Sequence, residues 1–398
     1  MLPVGNPAIG GDFIDREKEI AQILDALKKD SVLLIAPRRF GKTSIMRRME
    51  KEFIEQDIIS VFLEVEDVYT PQRFVSEIVM GLVENEKINK KTVLISSLKK
   101  GFQWFKENIE ELEIPVFKAK LRSSIEADLK EDWLEKTGQI FDIIRGTDAN
   151  IYFIIDEFPI AIKNMEPREA EKFLHWFRKL RQVTKNLKFV VGGSVSIDRV
   201  VRDIGGVSTI NDFKRVRIGG FQRNTALSVI KTIFEEEKWI YEESLGEKIL
   251  ACTGESFIPY FIIIILSSIK DEKDLRGGEV NEELIEKVYY HRILSSEGKH
   301  YFEPYSQRLR VFYKGMGGME EKAARAILRK VCSVEYYPVN LAFNIFKNET
   351  GIDDHEKFID LIADLSNDFY IEHDHENGLK FYSKMLRDWW RVYYGDGE

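Results

Sequence analysis

The sequence predicts an α/β protein with a parallel sheet, a helical lid and a C-terminal winged-helix domain. In the first half of the chain, short apolar runs alternate with helical patterns, which is typical of parallel strands joined by crossover helices. From Phe221 onward the pattern is helical. Three further helical patterns then precede two short strands, and this is the winged-helix order. We therefore predict three domains, at residues 1–218, 219–300 and 301–398.

Length and composition narrow the class of protein. A chain of 398 residues is too long for one core of about 150 residues. It is 44% hydrophobic and 32% charged with only 10 Pro, which excludes collagen-like and disordered chains. Its two cysteines, Cys252 and Cys332, form no CxxC pair and indicate a reducing compartment. The longest apolar run, Phe257–Leu266, is about half the 20 residues of a bilayer span, so we expect a soluble, cytoplasmic protein without a membrane partner.

Four apolar segments are predicted as strands of the sheet, namely Ser31–Ile35, Ile59–Val65, Ile151–Ile155 and Leu187–Val191. Helices are predicted at Thr43–Phe53, from Gln72 onward, and at Glu166–Val183. Thr70 and Pro71 supply an N-cap and a first-turn proline for the second of these. We treat residues 91–131 as a mainly helical insertion.

The second half is predicted to be helical up to a final hairpin. The predicted helices are residues 224–238, 242–252, 258–269, 282–294, 321–331, 339–346 and 355–365. Strands at 369–372 and 379–382 flank a turn-rich hairpin tip at 374–378. Trp389 and Trp390 are predicted to lie on the buried face of a C-terminal helix.

The strongest chemical signal lies between the first predicted strand and helix. It is the P-loop pattern GxxxxGK[ST] with alanine in the first position, Ala36-Pro37-Arg38-Arg39-Phe40-Gly41-Lys42-Thr43. Backbone N–H groups of such a loop surround phosphate oxygens, and Gly41 allows close approach. Lys42 would neutralise the β- and γ-phosphates, and the Thr43 hydroxyl would bind Mg²⁺. Ser44 follows at the positive end of the helix dipole, so the whole segment from Ala36 to Ser44 is our predicted nucleotide site.

Two later segments complete the predicted site. Asp156 and Glu157 follow an apolar strand, as in a Walker B motif. Asp156 would hold Mg²⁺ at the carboxyl end of its strand, and Glu157 would polarise the attacking water as general base. Gly192-Gly193-Ser194 ends the fourth strand, where Ser194 would contact the γ-phosphate or the water; a glycine-rich strand exit is the alternative.

These motifs together resemble the archaeal ATPase family, P-loop proteins of the AAA+/STAND-like branch with bacterial relatives. The resemblance rests on residues 13–17 (FIDRE), the APRRFGKTS loop, IIDEFP at 154–159, the GGS segment and RDWW at 387–390. It implies ATP as the nucleotide, with Phe13, Arg16 and Glu17 beside the adenosine. It also implies a lid element at Gly254–Pro259.

We accordingly predict a slow, Mg²⁺-dependent ATPase that acts as a nucleotide-driven conformational switch. An arginine finger would be one of four candidates, Arg199, Arg202, Arg215 or Arg217. The segment from Glu320 to the end contains sixteen Asp/Glu and ten Lys/Arg, so it is acidic. Because the third helix of the predicted winged helix is acidic, we expect protein contacts or self-association rather than DNA binding. A DNA-associated ATPase and a nucleotide-gated scaffold with negligible turnover remain the alternatives.

Overall fold

A computed structural model describes residues 16–36, 39–56, 58–85, 87, 122–123, 125–127, 129–130, 132–146, 149–193 and 196–395. The chain forms two compact units. The sheet unit comprises Arg16–Arg38 and Lys42–Ile218, and the helical unit comprises Met1–Asp15, Arg39–Gly41 and Gly219–Glu398. Most of the predicted insertion at 91–131 lies outside the described residues. Within the described part of the chain, no helix has the length and apolar character needed to cross a membrane.

The described residues of the sheet unit form five parallel strands. They are β1 (Val32–Ile35), β2 (Ile59–Glu64), β3 (Ile151–Asp156), β4 (Leu187–Gly193) and β5 (Lys214–Arg217), in the order β2-β3-β4-β1-β5. The first four confirm the predicted strands, and their buried apolar side chains explain why the sequence shows them so clearly. β5 was not predicted, because only Val216 of its four residues is buried. Because the strands are parallel, the chain leaves β1 and β3 at the same edge of the sheet, and β4 lies between them.

Helices cover the sheet. They are α1 (Glu17–Leu27), α2 (Lys42–Glu55), α3 (Pro71–Glu84), α4 (Trp133–Arg145), α5 (Phe158–Asn164), α6 (Pro167–Val183) and α7 (Ile197–Asp203). The predicted cap of α3 is present, since the Thr70 hydroxyl accepts a hydrogen bond of 3.2 Å from the Arg73 N–H. Phe74, Phe158, Phe173 and Phe177 form an aromatic cluster with neighbouring ring centroids as little as 4.7 Å apart. This cluster is part of the apolar core against which the sheet packs.

In its described part, the helical unit contains helices and one hairpin. The helices are α8 (Arg223–Glu236), α9 (Glu243–Thr253), α10 (Pro259–Arg276), α11 (Glu282–Val288), α12 (Lys299–Phe312), α13 (Met319–Val331), α14 (Val339–Thr350), α15 (His355–Asn367) and α16 (Lys384–Tyr394). A π-helical turn, Tyr289–Ile293, continues α11. α12 was not predicted and contains Pro304 in its interior. The other helices confirm the predictions, with α10 extending seven residues beyond its predicted end.

The end of the chain has the element order on which the winged-helix prediction rests. α13, α14 and α15 precede the antiparallel strands β6 (Ile371–Asp374) and β7 (Gly378–Phe381). Tyr337, between α13 and α14, forms an isolated bridge to Leu379 of β7. Trp389 and Trp390 on α16 are fully buried, as predicted. The winged-helix assignment itself stays an interpretation of this order.

Candidate nucleotide-binding site

The structure brings the two main predicted motifs together at the carboxyl edge of the sheet. Lys42 is the first residue of α2, and Asp156 is the last residue of β3. The Lys42 Nζ lies 2.5 Å from Asp156 Oδ1 and 3.3 Å from Glu157 Oε1. The Thr43 hydroxyl donates a hydrogen bond of 2.7 Å to Asp156 Oδ2. Residues more than a hundred positions apart therefore form one cluster of an ammonium, a hydroxyl and two carboxylates.

The charged groups of this cluster are almost completely removed from water. Lys42 is 6% exposed and Asp156 is 4% exposed. A charge removed from water in this way needs a partner, because isolated burial of an ion is costly. Asp156 also accepts a hydrogen bond of 2.8 Å from the Glu157 backbone N–H. Its carboxylate is thus held in place from three directions, by an ammonium, a hydroxyl and a peptide N–H.

Glu157 has an unusual backbone conformation. Its φ of 59° and ψ of 29° lie in the left-handed region, which an L-residue with a side chain rarely adopts. It is the N-cap of α5, and Pro159 follows in the first turn of that helix. Strain of this kind persists only where the surroundings enforce it, and it concentrates at functional sites. The left-handed conformation of Glu157 escaped sequence analysis, because the motif shows residue types and not backbone angles.

The tip of the predicted loop is described from Arg39 onward. Gly41 has a φ of +83°, so glycine is required there by the backbone. The Arg39 guanidinium lies 3.9 Å from the centroid of the Tyr260 ring, and its Nη1 donates a hydrogen bond of 3.3 Å to the Tyr301 carbonyl. Tyr260 and Tyr301 belong, like Arg39, to the helical unit. The Arg39 side chain therefore has partners other than a nucleotide.

Phe40 is likewise engaged within the helical unit. It is 1% exposed, and its ring centroid lies 5.3 Å from that of Phe369 and 6.0 Å from that of Tyr382. We predicted Arg39 and Phe40 as nucleotide contacts from their positions in the loop. Given the partners of their side chains, the groups that they can offer to phosphate are the backbone N–H donors.

The remaining predicted site residues are partly described. Ala36 and Ser44 are buried at the end of β1 and in the first turn of α2. Arg16 is buried just before α1, where its Nη1 lies 2.7 Å from Glu19 Oε1. The positions outside the described residues are Phe13, Pro37, Arg38 and Ser194.

Of the four arginine-finger candidates, Arg215 has the clearest partner. Both of its Nη atoms donate to the Asp198 carboxylate, at 2.7 Å and 2.6 Å. These hydrogen bonds raise the pKa of Arg215. Arg199 is buried on α7, and Arg217 is exposed at the end of β5. The structure thus gives Arg215 a structural ion pair.

The chemistry of the cluster fits a small divalent cation. Thr43 and Asp156 present a hydroxyl and a carboxylate, which are the oxygen donors that Mg²⁺ prefers. Within the described residues, no group of three or more His, Cys, Asp or Glu side chains is arranged to hold a metal ion. Mg²⁺ at this position would take its other ligands from phosphate oxygens and water, as is usual for nucleotide-bound Mg²⁺.

Comparison with known proteins shows what the fold resembles. No protein-family model matches the sequence. No curated protein matches it either. Among solved structures, the chain is similar to the Walker-type ATPase PABY2304 of Pyrococcus abyssi, with 16% identity over 98% of this chain and 99% of that chain and a TM-score of 0.63. It is also similar to the Aeropyrum pernix ORC2 protein, solved in ADPNP–ADP complexes, with 12% identity over 94% and 92% of the two chains and a TM-score of 0.52.

At these identities the likeness is one of fold. The chain has the α/β fold of a P-loop ATPase, with a parallel sheet followed by a helical region, which confirms the α/β P-loop part of the predicted fold class; the winged helix stays a prediction.

Proposed function

We propose that this chain is a Mg²⁺-dependent ATPase of the AAA+ class, related to the archaeal ATPase family, whose nucleotide state switches its conformation. The contact of Lys42 and Thr43 with Asp156 is the observation that carries the proposal. An ammonium, a hydroxyl and a carboxylate meet where a P-loop enters its helix, and this combination serves phosphate and Mg²⁺ together. The similarity to a Walker-type ATPase and to a protein solved with ADPNP and ADP supports the same reading.

Each residue has a distinct role in this proposal. The Lys42 ammonium neutralises the β- and γ-phosphates, and backbone N–H donors of the P-loop surround their oxygens. Thr43 and Asp156 hold Mg²⁺, which supplies charge neutralisation at the phosphates when bound. Glu157 accepts a proton from the attacking water.

Ion pairing in the cluster suggests how binding prepares hydrolysis. Lys42 pairs with both Asp156 and Glu157, so its ammonium already has anionic partners. The phosphates of ATP would compete for this ammonium and draw it away from Glu157 Oε1. With the ammonium turned toward phosphate, Glu157 Oε1 can accept a hydrogen bond from the attacking water, as the proposed general base must. Nucleotide binding would therefore activate the general base at the same site.

The central experiment compares Glu157→Gln with the wild type. We expect unchanged ATP affinity and phosphate release slower by ~10²–10⁴, the range for loss of a positioned general base. Glu64→Gln is the matched control, since Glu64 pairs in register with Asp156 on the neighbouring strand and its side chain is 67% exposed. Equal phosphate release by Glu157→Gln and wild type would contradict the role of Glu157. A wild type that retains ATP without releasing phosphate would instead support the nucleotide-gated scaffold.

Protein contacts or self-association are the proposed output of the C-terminal region. The six carboxylates between Asp353 and Asp368 favour this over DNA. Two of the six carboxylates are not on the surface, because Asp364 and Asp368 are buried. Asp368 accepts a hydrogen bond of 3.0 Å from the Tyr313 hydroxyl. The other four carboxylates are Asp353 and Asp354 just before α15 and Glu356 and Asp360 on it; they outnumber Lys357, so the start of α15 remains acidic.

DNA association is the second candidate function, because the element order is that of a winged helix. Fluorescence anisotropy of the full chain with random duplex DNA at low salt tests it. We expect no micromolar binding. Binding at that affinity that weakens steeply with added salt would replace the protein-contact proposal with the DNA one.

The domain division at residues 1–218, 219–300 and 301–398 belongs to this proposal. The boundary of the two compact units at Ile218 and Gly219 supports its first division. A cytoplasmic location is also proposed, and it is supported by Cys252 and Cys332, which are buried thiols that form no disulfide, as suits a reducing compartment.

A further inference from the structure

Two consecutive glycines end the strand that lies between the halves of the proposed site. Gly192 and Gly193 are the last residues of β4 and are buried. They pair in register with Leu34 and Ile35 of β1, the strand that enters the P-loop. On its other side β4 pairs with β3, which ends at Asp156. The two glycines therefore lie next to both motifs of the site.

The backbone does not require glycine at either position. Neither Gly192 nor Gly193 has a positive φ, and both are in an ordinary parallel strand. Any L-residue adopts such a conformation, and strands favour larger residues because these pack better. The need for glycine at these two positions must therefore come from neighbouring atoms that leave no room for a side chain, and not from the backbone conformation.

At Gly192, the space is taken by residues of α2. A Cβ placed on Gly192 would lie 2.8 Å from the Met46 Cε and 3.2 Å from the Lys42 Cδ. The methyl end of Met46 can move aside, since methionine side chains are flexible. The Lys42 stem is constrained, because its ammonium is held by Asp156 at 2.5 Å. The Leu34 Cβ at 3.3 Å closes the side toward β1, so a side chain at Gly192 would crowd the stem of the lysine proposed to bind phosphate.

At Gly193, the neighbours belong to the other half of the site. Successive strand residues point to opposite faces of the sheet, so Gly193 faces away from α2. A Cβ there would lie 2.3 Å from the Pro159 Cδ and 3.4 Å from Glu157 Oε2. The proline ring cannot bend aside, and it sits in the first turn of α5, two residues after Glu157. A side chain at Gly193 would therefore shift the turn that holds Glu157 in its left-handed conformation.

From this geometry we infer that Gly192 and Gly193 are positioning residues with separate tasks. Gly192 leaves room for the Lys42 stem, and Gly193 leaves room for the Glu157–Pro159 turn. The inference rests on the proposed ATPase function. Because Lys42 binds phosphate and Glu157 acts on water, the two glycines affect different kinetic constants. If the glycines served stability alone, their replacement by alanine would lower the free energy of unfolding, and nucleotide affinity and turnover would not change separately.

The test compares Gly192→Ala and Gly193→Ala with Gly138→Ala. Gly138 is a matched control, since it lies within α4 and a Cβ there meets nothing within 4 Å. Nucleotide affinity is measured by titration of a fluorescent ATP analogue with Mg²⁺, and turnover by phosphate release at saturating ATP. A displacement of reacting groups of order 1 Å costs up to ~100-fold, so we expect Gly192→Ala to weaken nucleotide affinity by ~10-fold or more. We expect Gly193→Ala to lower turnover by ~10–100-fold with affinity within about threefold of wild type.

A rescue variant separates the steric effect from a folding defect. Pro159→Ala combined with Gly193→Ala removes the ring that the new methyl would meet, and we expect it to regain ~10-fold of the lost turnover. If Gly193→Ala alone does not fold, the double variant must fold and hydrolyse ATP. A double variant without recovery overturns the role of Gly193.

The remaining outcomes distinguish this inference from the proposed function. Alanine variants of Gly192 and Gly193 that match Gly138→Ala in both constants overturn the inference while the ATPase stands. The same holds if both variants lose affinity and turnover together. A wild type that neither binds nor hydrolyses ATP overturns the proposed function and this inference with it.

Discussion

Replacing Lys42 by alanine tests the proposed site at the residue that pairs with both of its carboxylates. The Lys42 ammonium lies 2.5 Å from Asp156 and 3.3 Å from Glu157, and its side chain is 7% exposed. Removing one partner of a buried ion pair costs about 3–5 kcal/mol, because the other charge is left uncompensated. Asp156 keeps the Thr43 hydroxyl and the Glu157 N–H as donors. We therefore expect the lower part of that range, about 3 kcal/mol of unfolding free energy.

The same substitution should remove the response to nucleotide. At an ATP concentration of about 100 Kd, binding stabilises a folded protein by about 2.7 kcal/mol. Without Lys42, the β- and γ-phosphates lose their main cationic partner. We expect wild type to show this stabilisation in Mg²⁺ and ATP, and Lys42→Ala to show almost none.

Urea denaturation with and without Mg²⁺ and ATP measures both effects. Lys51→Ala is the matched control, because Lys51 is an exposed lysine on the same helix, α2. It should keep the stability and the nucleotide response of wild type. A Lys42→Ala protein as stable as wild type without nucleotide would refute the buried ion pair. One that is stabilised by ATP as strongly as wild type would refute the P-loop as the nucleotide site.

Three further predictions concern the helical unit. Trp389→Ala should lower the free energy of unfolding by about 3–5 kcal/mol, because the side chain is fully buried; an unchanged thermal midpoint would contradict this. Tyr289→Phe should cost about 1–3 kcal/mol in urea, since the buried Tyr289 hydroxyl donates to Asp388 at 2.8 Å, whereas the same change at the exposed Tyr290 should cost almost nothing. Burial raises the pKa of Cys252 from 9.0 to about 11, so the unfolded thiol ionises first and stability should fall as pH rises between these values. Urea denaturation at pH 8 and pH 10 checks this, and Cys252→Ala should show a smaller decline; an equal decline would refute it.

Local patterns in the sequence determined most of the secondary structure. β1, β3 and β4 are buried on both faces, so each appears as a continuous apolar run. The P-loop and the Asp156-Glu157 pair are local motifs next to such strands, and sequence therefore sufficed to propose them. β5 was missed because its sequence, KRVR, has one buried residue and becomes a strand through its pairing with β1. The helices α1, α4, α5 and α7 were not predicted either, and α12 was missed, with Pro304 in its interior as a conflicting local signal.

Only the tertiary structure decided how these pieces meet. The distance of 2.5 Å between Lys42 and Asp156 depends on the strand order, which places β4 between β1 and β3. The burial of Asp364 reflects packing within the helical unit, although the sequence of α15 shows only an acidic helix. The separate surroundings of Gly192 and Gly193 depend on which helix covers each face of the sheet. Contacts and burial of this kind arise between segments far apart in the chain, so a local pattern determines the type of an element but not its neighbours.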